Sequence, residues 1–203
     1  MTKNTTTATN NSLSARTKIA LVISAAAVLV FCGFIFYMSA QPAEDSDIMS
    51  LGIVYRIISF IVPGYENMPY ADQVYWQSNL NHIVRKAAHF TEYAVLGMLV
   101  ANLLWRIARM KAEQAGEWAE RPAAASSTPM EQNHKTRILQ VGLWSWVLAT
   151  AYAATDEIHQ MFVPGRAGMI TDVLLDSAGV LTGIILVCAV LTIICASRVP
   201  RAK

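Results

Sequence analysis

Four apolar runs, each long enough to cross a bilayer as a helix, divide this chain of 203 residues. The runs cover residues 19–38, 87–105, 138–154 and 173–196. A membrane-spanning helix needs about 20 predominantly apolar residues to match the hydrocarbon layer. The composition agrees, because 54% of the residues are hydrophobic and only 15% are charged. This balance favours a membrane protein over a soluble domain. We therefore predict an all-α membrane protein with a four-helix transmembrane bundle.

The first run could also be the apolar region of a cleaved signal peptide. Such regions usually contain about 7–15 residues and end before small residues at a cleavage site. This run is longer, and Met38 stands where a small residue would be needed for a cut after Ala40. We therefore predict an uncleaved anchor. Before it, residues 1–18 are predicted to form a disordered cytoplasmic tail, most of which is rich in Thr, Asn and Ser.

The distribution of Lys and Arg predicts the orientation of the helices. Twelve of the 16 basic residues precede the first run, separate the second from the third, or follow the fourth. The remaining four are Arg56, Arg85, Lys86 and Arg166. Because cytoplasmic segments carry the excess of basic residues, we expect both termini in the cytoplasm. Residues 19–196 would then form one transmembrane domain, with residues 107–136 as a cytoplasmic linker.

The outer connection between the first two runs is expected to contain helix of its own. Residues 47–62 are mostly apolar and end at Pro63-Gly64. About 16 residues are short for a span, so an outer interfacial helical segment is predicted, with a re-entrant segment as the alternative. A further helix is expected to begin at Asp72, after Pro69, and to continue into the second run.

The net charge and the spacing of small residues indicate which partners the chain can have. A net charge of +2 without a basic stripe argues against nucleic acid. The lipid bilayer is the expected surrounding. Gly179 and Gly183 form a small-xxx-small pair that lets another helix approach closely, which would also permit a homodimer.

Ionisable side chains gather near the ends of three apolar runs that the topology places at the outer membrane surface. Such groups are costly at membrane depth and need partners, water or a ligand. Spacings of three, four or seven residues place several of them on shared helical faces. The predicted ligand-binding residues are Arg85, Lys86, His89, Glu92, Asp156, Glu157, His159, Gln160, Arg166, Asp172 and Asp176.

Within this set, Asp176 lies inside an apolar run and has the greatest need of a partner. The turn at Pro164-Gly165 is expected to project Arg166 back toward the carboxylates, where a bidentate pair would be the strongest geometry. The alternatives are that Arg166 caps a helix C-terminus or pairs with a lipid phosphate. His89 and Glu92 could serve only to join helices.

These residues resemble the VanZ-like family of small bacterial membrane proteins. The resemblance rests on S-A-Q-P after the first run, R-K-A-A-H-F-T-E-Y-A-V-L-G from Arg85, T-D-E-I-H-Q-M-F-V-P-G-R-A-G from Thr155 and D-V-L-L-D-S-A-G from Asp172. It extends over roughly residues 39–183. The family's naming member is associated with teicoplanin resistance, so the resemblance implies a role at the bacterial cell envelope. It does not imply a particular reaction.

Three functions are compatible with these residues. The leading prediction is binding of a polar headgroup or a lipid-linked cell-wall precursor at the outer membrane face. The first alternative is a hydrolase or transferase acting on a lipid-linked substrate, with Asp156, Glu157 and His159 as candidate acid–base groups. A divalent metal could assist it, and the candidate ligands are His89, Glu92, His159 and Asp176. The second alternative is a small proton-coupled transporter.

Overall fold

The computed structural model describes residues 14–114 and 128–197 of the chain. Within them the chain forms five α-helices: α1 Ala15–Ser39, α2 Ala43–Ile61, α3 Tyr70–Gln114, α4 Thr128–Gln160 and α5 Ile170–Ser197. Four of these, α1, α3, α4 and α5, contain segments long and apolar enough to cross a membrane. The prediction of an all-α membrane bundle with four spanning helices is therefore confirmed.

The helices extend beyond several of the predicted boundaries. The Ser14 hydroxyl accepts a hydrogen bond from the backbone N–H of Arg16 at 3.3 Å, so it caps α1 and residues 15–18 are helical. Residues 107–114 belong to α3 and residues 128–136 to α4. These ends of the predicted tail and linker are thus helical. Their remaining parts, residues 1–13 and 115–127, lie outside the described residues.

Helix α3 is the central helix, and it packs against α1, α2, α4 and α5. Its 45 residues give a length of about 68 Å at 1.5 Å per residue. That length is about twice the thickness of a bilayer hydrocarbon core. The first part of α3 instead supports α2, where Val54 and Ile58 pack with Leu80 and Val84. The helical segment predicted over residues 47–62 is therefore present as α2.

The core of the bundle lies where α3, α4 and α5 meet and α1 covers them. Tyr93 and Leu96 of α3 are buried with Ala153 of α4, Val180 of α5 and Ile35 of α1. Many large apolar side chains, Leu29 and Val30 of α1 among them, point outward. This arrangement suits a lipid surrounding, because lipid tails are as apolar as the side chains that face them.

The small-residue pair on α5 is used inside the chain. A Cβ added at Gly179 would collide with the carbonyl oxygen of Phe90, and one at Gly183 would collide with that of Ala94. Both glycines therefore allow the backbone of α5 to contact the backbone of α3. Since α3 already covers these glycines, they do not offer the surface that we predicted for a second copy.

Candidate functional site

The predicted polar residues lie at one end of the bundle. This end is formed by the C-termini of α1 and α4, the N-terminus of α5 and a middle part of α3, because successive spans run in opposite directions. Ion pairs, hydrogen bonds and electrostatic contacts join residues of these segments. The structure thus brings the three clusters together, although most of the individual pairings differ from those expected.

Asp156, near the end of α4, is a centre of this polar cluster. Its side chain is buried, and its Oδ2 accepts hydrogen bonds from Ser39 Oγ at 2.7 Å and from Gln160 Nε2 at 3.2 Å. The hydroxyl of Tyr93 lies close by without an aligned hydrogen bond. Sequence reasoning did not assign Ser39 or Tyr93 to the site. Both occur in the motifs S-A-Q-P and H-F-T-E-Y, which were the available signal.

Glu157 holds the connection between α4 and α5. Its Oε2 accepts a 3.0 Å hydrogen bond from the backbone N–H of Met169, and its Oε1 accepts a 3.4 Å bond from Gln160. Gly168 fits against the backbone of Glu157 so closely that a Cβ would collide with the Glu157 carbonyl oxygen. Glu157 therefore has a structural role in shaping this turn.

Two of the predicted cations form ion pairs around the cluster. Arg85 contacts Asp47 at 3.0 Å, and Asn81 also donates to Asp47 at 2.9 Å. Lys86 contacts Asp172 at 2.7 Å. Asp47, at the start of α2, was not predicted as a partner. These contacts attach α2 and α5 to α3.

Arg166 does not form the expected bidentate pair with a carboxylate. Its Nε donates to the carbonyl of Gln41 at 2.9 Å, and its NH2 donates to that of Met38 at 3.3 Å. A third bond joins its NH1 to Gln160 Oε1 at 3.3 Å. Free carbonyls at a helix C-terminus attract cations, so Arg166 caps α1, as one of the alternative interpretations held. Burial lowers the pKa of the Arg166 guanidinium, which still remains protonated.

Several buried polar atoms of the cluster have no hydrogen-bond partner among the described residues. They are His89 Nδ1, Tyr93 OH, Asp156 Oδ1, His159 Nε2 and both carboxylate oxygens of Asp176. The Asp176 side chain is fully buried and lies within electrostatic range of Glu157, Asp156 and Glu92. An unsatisfied buried polar group costs about 1–3 kcal/mol. Such a concentration of them therefore marks the part of the molecule where a function is to be sought.

A family model described as VanZ/LLP1 matches residues 24–193. The chain belongs to the VanZ/LLP1 family. The matched region contains all of the candidate residues, and the resemblance seen in the sequence is confirmed at the level of the family. No curated protein and no solved structure is significantly similar to the chain. Together with the four helices that are long and apolar enough to cross a membrane, the VanZ/LLP1 match indicates a multi-pass membrane protein.

The predicted acid–base residues of this VanZ/LLP1 protein do not form one hydrogen-bonded set. Asp156 and Glu157 share the amide of Gln160, whereas the His159 ring stacks on Phe36 with centroids 4.4 Å apart. In the described part of the chain, no hydrogen bond joins His159 to either carboxylate. His159 is therefore held in the interface between α4 and α1.

The candidate metal ligands do not fit a metal ion. Across residues 14–114 and 128–197, no three side chains of His, Cys, Asp or Glu are placed so that they could hold one. The predicted set of His89, Glu92, His159 and Asp176 therefore does not converge on a common point.

Proposed function

We propose that this VanZ/LLP1 protein acts in the bacterial cell envelope and binds a polar headgroup or a lipid-linked cell-wall precursor through its polar cluster. The observation that carries the proposal is the burial of Asp176, whose side chain is fully buried and whose two carboxylate oxygens have no hydrogen-bond partner among the described residues. A carboxyl group in this position needs a partner, and a bound headgroup would provide one.

Polar residues that serve only to join helices are expected to bond with one another. The bundle contains such contacts, because Trp146 donates to Ser177 at 3.0 Å and the Tyr152 hydroxyl donates to the carbonyl of Cys32 at 2.7 Å. Asp176 differs from them although it neighbours Ser177 in sequence. This contrast supports a ligand-binding role for Asp176 over a purely structural one.

The proposed location of the site is the outer membrane face. The excess of Lys and Arg at the opposite ends of the spans favours cytoplasmic N and C termini. Residues 19–196 would then act as one transmembrane domain, with α2 in the outer interface. An outer site would face the compartment in which glycopeptides act, so reduced teicoplanin susceptibility is a phenotype to measure.

Co-purified lipid provides the direct test of the proposal. The full chain would be extracted in mild detergent and studied by native mass spectrometry beside Asp156→Asn and Asp176→Asn. Asp72→Asn, an exposed site at the start of α3, is the matched control. We expect a bound polar lipid or precursor in the wild type and the control, and its loss in both site variants. Equal retention in all four proteins, or no bound lipid in any, would contradict the proposal.

Cell assays would connect binding to function. Alanine at Asp156 and at His159 should abolish any envelope phenotype of the protein while leaving its amount in the membrane unchanged. Arg166→Ala is also expected to weaken the phenotype, but for a structural reason. Arg166 caps α1, so its loss would leave the carbonyls at the end of that helix without these donors. Full activity of the first two variants would show that the cluster is not the functional site.

Proton-coupled transport is the second candidate function. It is favoured by the same buried carboxyl group of Asp176, whose oxygens have no partner among the described residues. Ionisable residues inside spanning helices often carry protons across the membrane. Reconstituted vesicles with an internal pH dye would distinguish transport from binding. A protein that only binds a headgroup leaves an imposed pH gradient intact. The hydrolase or transferase alternative has less support, since His159 and the two carboxylates are not joined.

A further inference from the structure

We propose that the ligand is a lipid carrying a primary ammonium group, and that it enters from the bilayer through the groove between α1 and α3. This inference rests on the proposed binding function and names the chemical class of its ligand. It follows from an apolar groove that contains a carboxylate and from the unpartnered carboxylate oxygens of the cluster beside it.

The groove has a volume of about 470 Å³. Its walls are mainly apolar, with Phe31 and Phe34 from α1 opposite Val84 and Val95 from α3. Val95 lies eleven positions after Val84, which corresponds to about 16 Å along a helix. Long, apolar and open to the side, this groove suits an acyl chain.

A second groove of about 410 Å³ lies on the other side of a ridge formed by Ala87 and Thr91. It contains apolar side chains such as Phe90 and Leu175, together with Lys86. The Lys86 ammonium has one bond to Asp172 and three donors in total. It can therefore also donate to the phosphate of a headgroup whose chains lie in the two grooves.

Glu92 provides the charge that selects the headgroup. It is the charged residue among those that line the first groove, and it is only partly buried. It lies within electrostatic range of Asp156. A carboxylate at membrane depth is costly without a counter-charge, so a positively charged headgroup would lower the free energy of Glu92 as it binds.

Among the described residues, the cluster next to this groove contains three unpartnered carboxylate oxygens and three unpartnered potential donors, which are His89 Nδ1, Tyr93 OH and His159 Nε2. Asp156 Oδ1 and both oxygens of Asp176 are unpartnered. The nearby cations are already engaged, since Arg85 pairs with Asp47 and Arg166 bonds to the carbonyls at the end of α1. Glu92 in the groove and the free carboxylate oxygens beside it therefore favour a ligand that is positively charged and carries N–H donors. A primary ammonium brings a positive charge and three N–H groups, as in Lys.

Other common headgroups suit these carboxylates less well. A phosphoglycerol headgroup adds negative charge beside Glu92 and Asp156. A trimethylammonium group brings positive charge but no N–H donor. Charge thus distinguishes the preferred headgroup from phosphoglycerol, and its N–H donors distinguish it from the trimethylammonium group.

The test uses purified full-length protein and native mass spectrometry with three lipids that share dioleoyl chains. The headgroups are phosphoethanolamine, phosphocholine and phosphoglycerol. One charge-assisted hydrogen bond corresponds to about a tenfold difference in affinity, so we expect about tenfold preference for phosphatidylethanolamine over each of the others. Glu92→Gln should reduce this preference to less than about twofold. Glu44→Gln, at an exposed position of α2, should leave it unchanged.

A groove-filling variant tests the route of entry independently of Glu92. Ala88 lines the groove, and Ala88→Leu should weaken binding of all three lipids by about tenfold. Ala26→Leu, at an exposed position of α1, should have no effect. Both variants, and Glu92→Gln, would be compared with the wild type by thermal unfolding, so that reduced binding is not confused with misfolding.

The possible results separate this inference from the function on which it rests. Equal binding of the three lipids, or a preference for phosphatidylglycerol, overturns the ammonium proposal. Equal binding of phosphatidylethanolamine and phosphatidylcholine also overturns it, because charge alone would then be sufficient. If a different polar lipid binds and depends on Asp176, only the ammonium proposal fails. If no lipid depends on Asp176, the proposed function fails as well.

Discussion

Ser39 Oγ donates a 2.7 Å hydrogen bond to Oδ2 of Asp156, and this buried contact joins the ends of α1 and α4 across 117 positions of the chain. It leaves Oδ1 of the same carboxyl group unpartnered. One carboxylate oxygen of Asp156 therefore helps to hold the bundle together, and the other is available for the proposed ligand. This division makes a structural role of Asp156 compatible with the proposed binding role.

Removing the Ser39 hydroxyl should destabilise the bundle. Loss of a donor to a buried carboxyl oxygen costs about 1–3 kcal/mol, so Ser39→Ala should lower the free energy of unfolding by about this amount in detergent. Ser78→Ala, at an exposed position of α3, is the control. A double-mutant cycle with Asp156→Asn would isolate the pair. Equal effects of Ser39→Ala and Ser78→Ala would show that the contact contributes no stability.

The crossing of α3 and α5 should not accept a side chain at Gly183. A Cβ there would collide with the carbonyl oxygen of Ala94, so Gly183→Ala should separate the helices and destabilise the protein by about 1–3 kcal/mol. The matched control is Gly33→Ala in α1, where no atom lies within 4 Å of the added Cβ. Thermal unfolding midpoints would be compared. A Gly183→Ala protein as stable as the Gly33→Ala protein would contradict this close approach.

The guanidinium of Arg166 should be required for an ordered end of α1. Lys has no planar fork and cannot reproduce three bonds in different directions. We expect Arg166→Lys to speed amide hydrogen exchange of residues 38–43 by about tenfold while leaving the middle of α1 unchanged. Arg56→Lys, at an exposed position of α2, controls for the substitution itself. Unchanged exchange in Arg166→Lys would mean that the end of α1 is held by other contacts.

Thiol labelling in intact cells would test the predicted orientation. In a background where all three cysteines are replaced by alanine, His82→Cys should react with a membrane-impermeant maleimide from outside. Lys111→Cys, an exposed position at the other end of α3, should react only after the membrane is opened. The reverse pattern would place both termini outside the cytoplasm and the polar cluster inside.

Much of the architecture could be predicted because it depends on local properties of the chain. The length of an apolar run decides whether a helix can span a membrane, and the four predicted runs lie within α1, α3, α4 and α5. The alternating direction of these helices then brings Arg85, Asp156 and Asp172 to the same end. The gathering of the polar residues at one end was therefore also predictable.

The pairings within that end depend on distant packing, and they could not be predicted. Arg166 could bond to carboxylates or to backbone carbonyls, and the position of the α1 C-terminus decides for the carbonyls of Met38 and Gln41. Ser39 and Tyr93 become part of the site only because their faces of α1 and α3 turn toward Asp156. The spacing of Gly179 and Gly183 indicates a close helix contact, but not which helix makes it.

The sequence by itself thus determined the number of spanning helices, their polar end and the family, since hydrophobic length, charge distribution and motifs are written in consecutive residues. Only the tertiary structure decided which polar atoms satisfy one another and which have no partner among the described residues. Hydrogen bonds depend on distances of about 3 Å between side chains. Those distances are set by how α1, α3, α4 and α5 pack together.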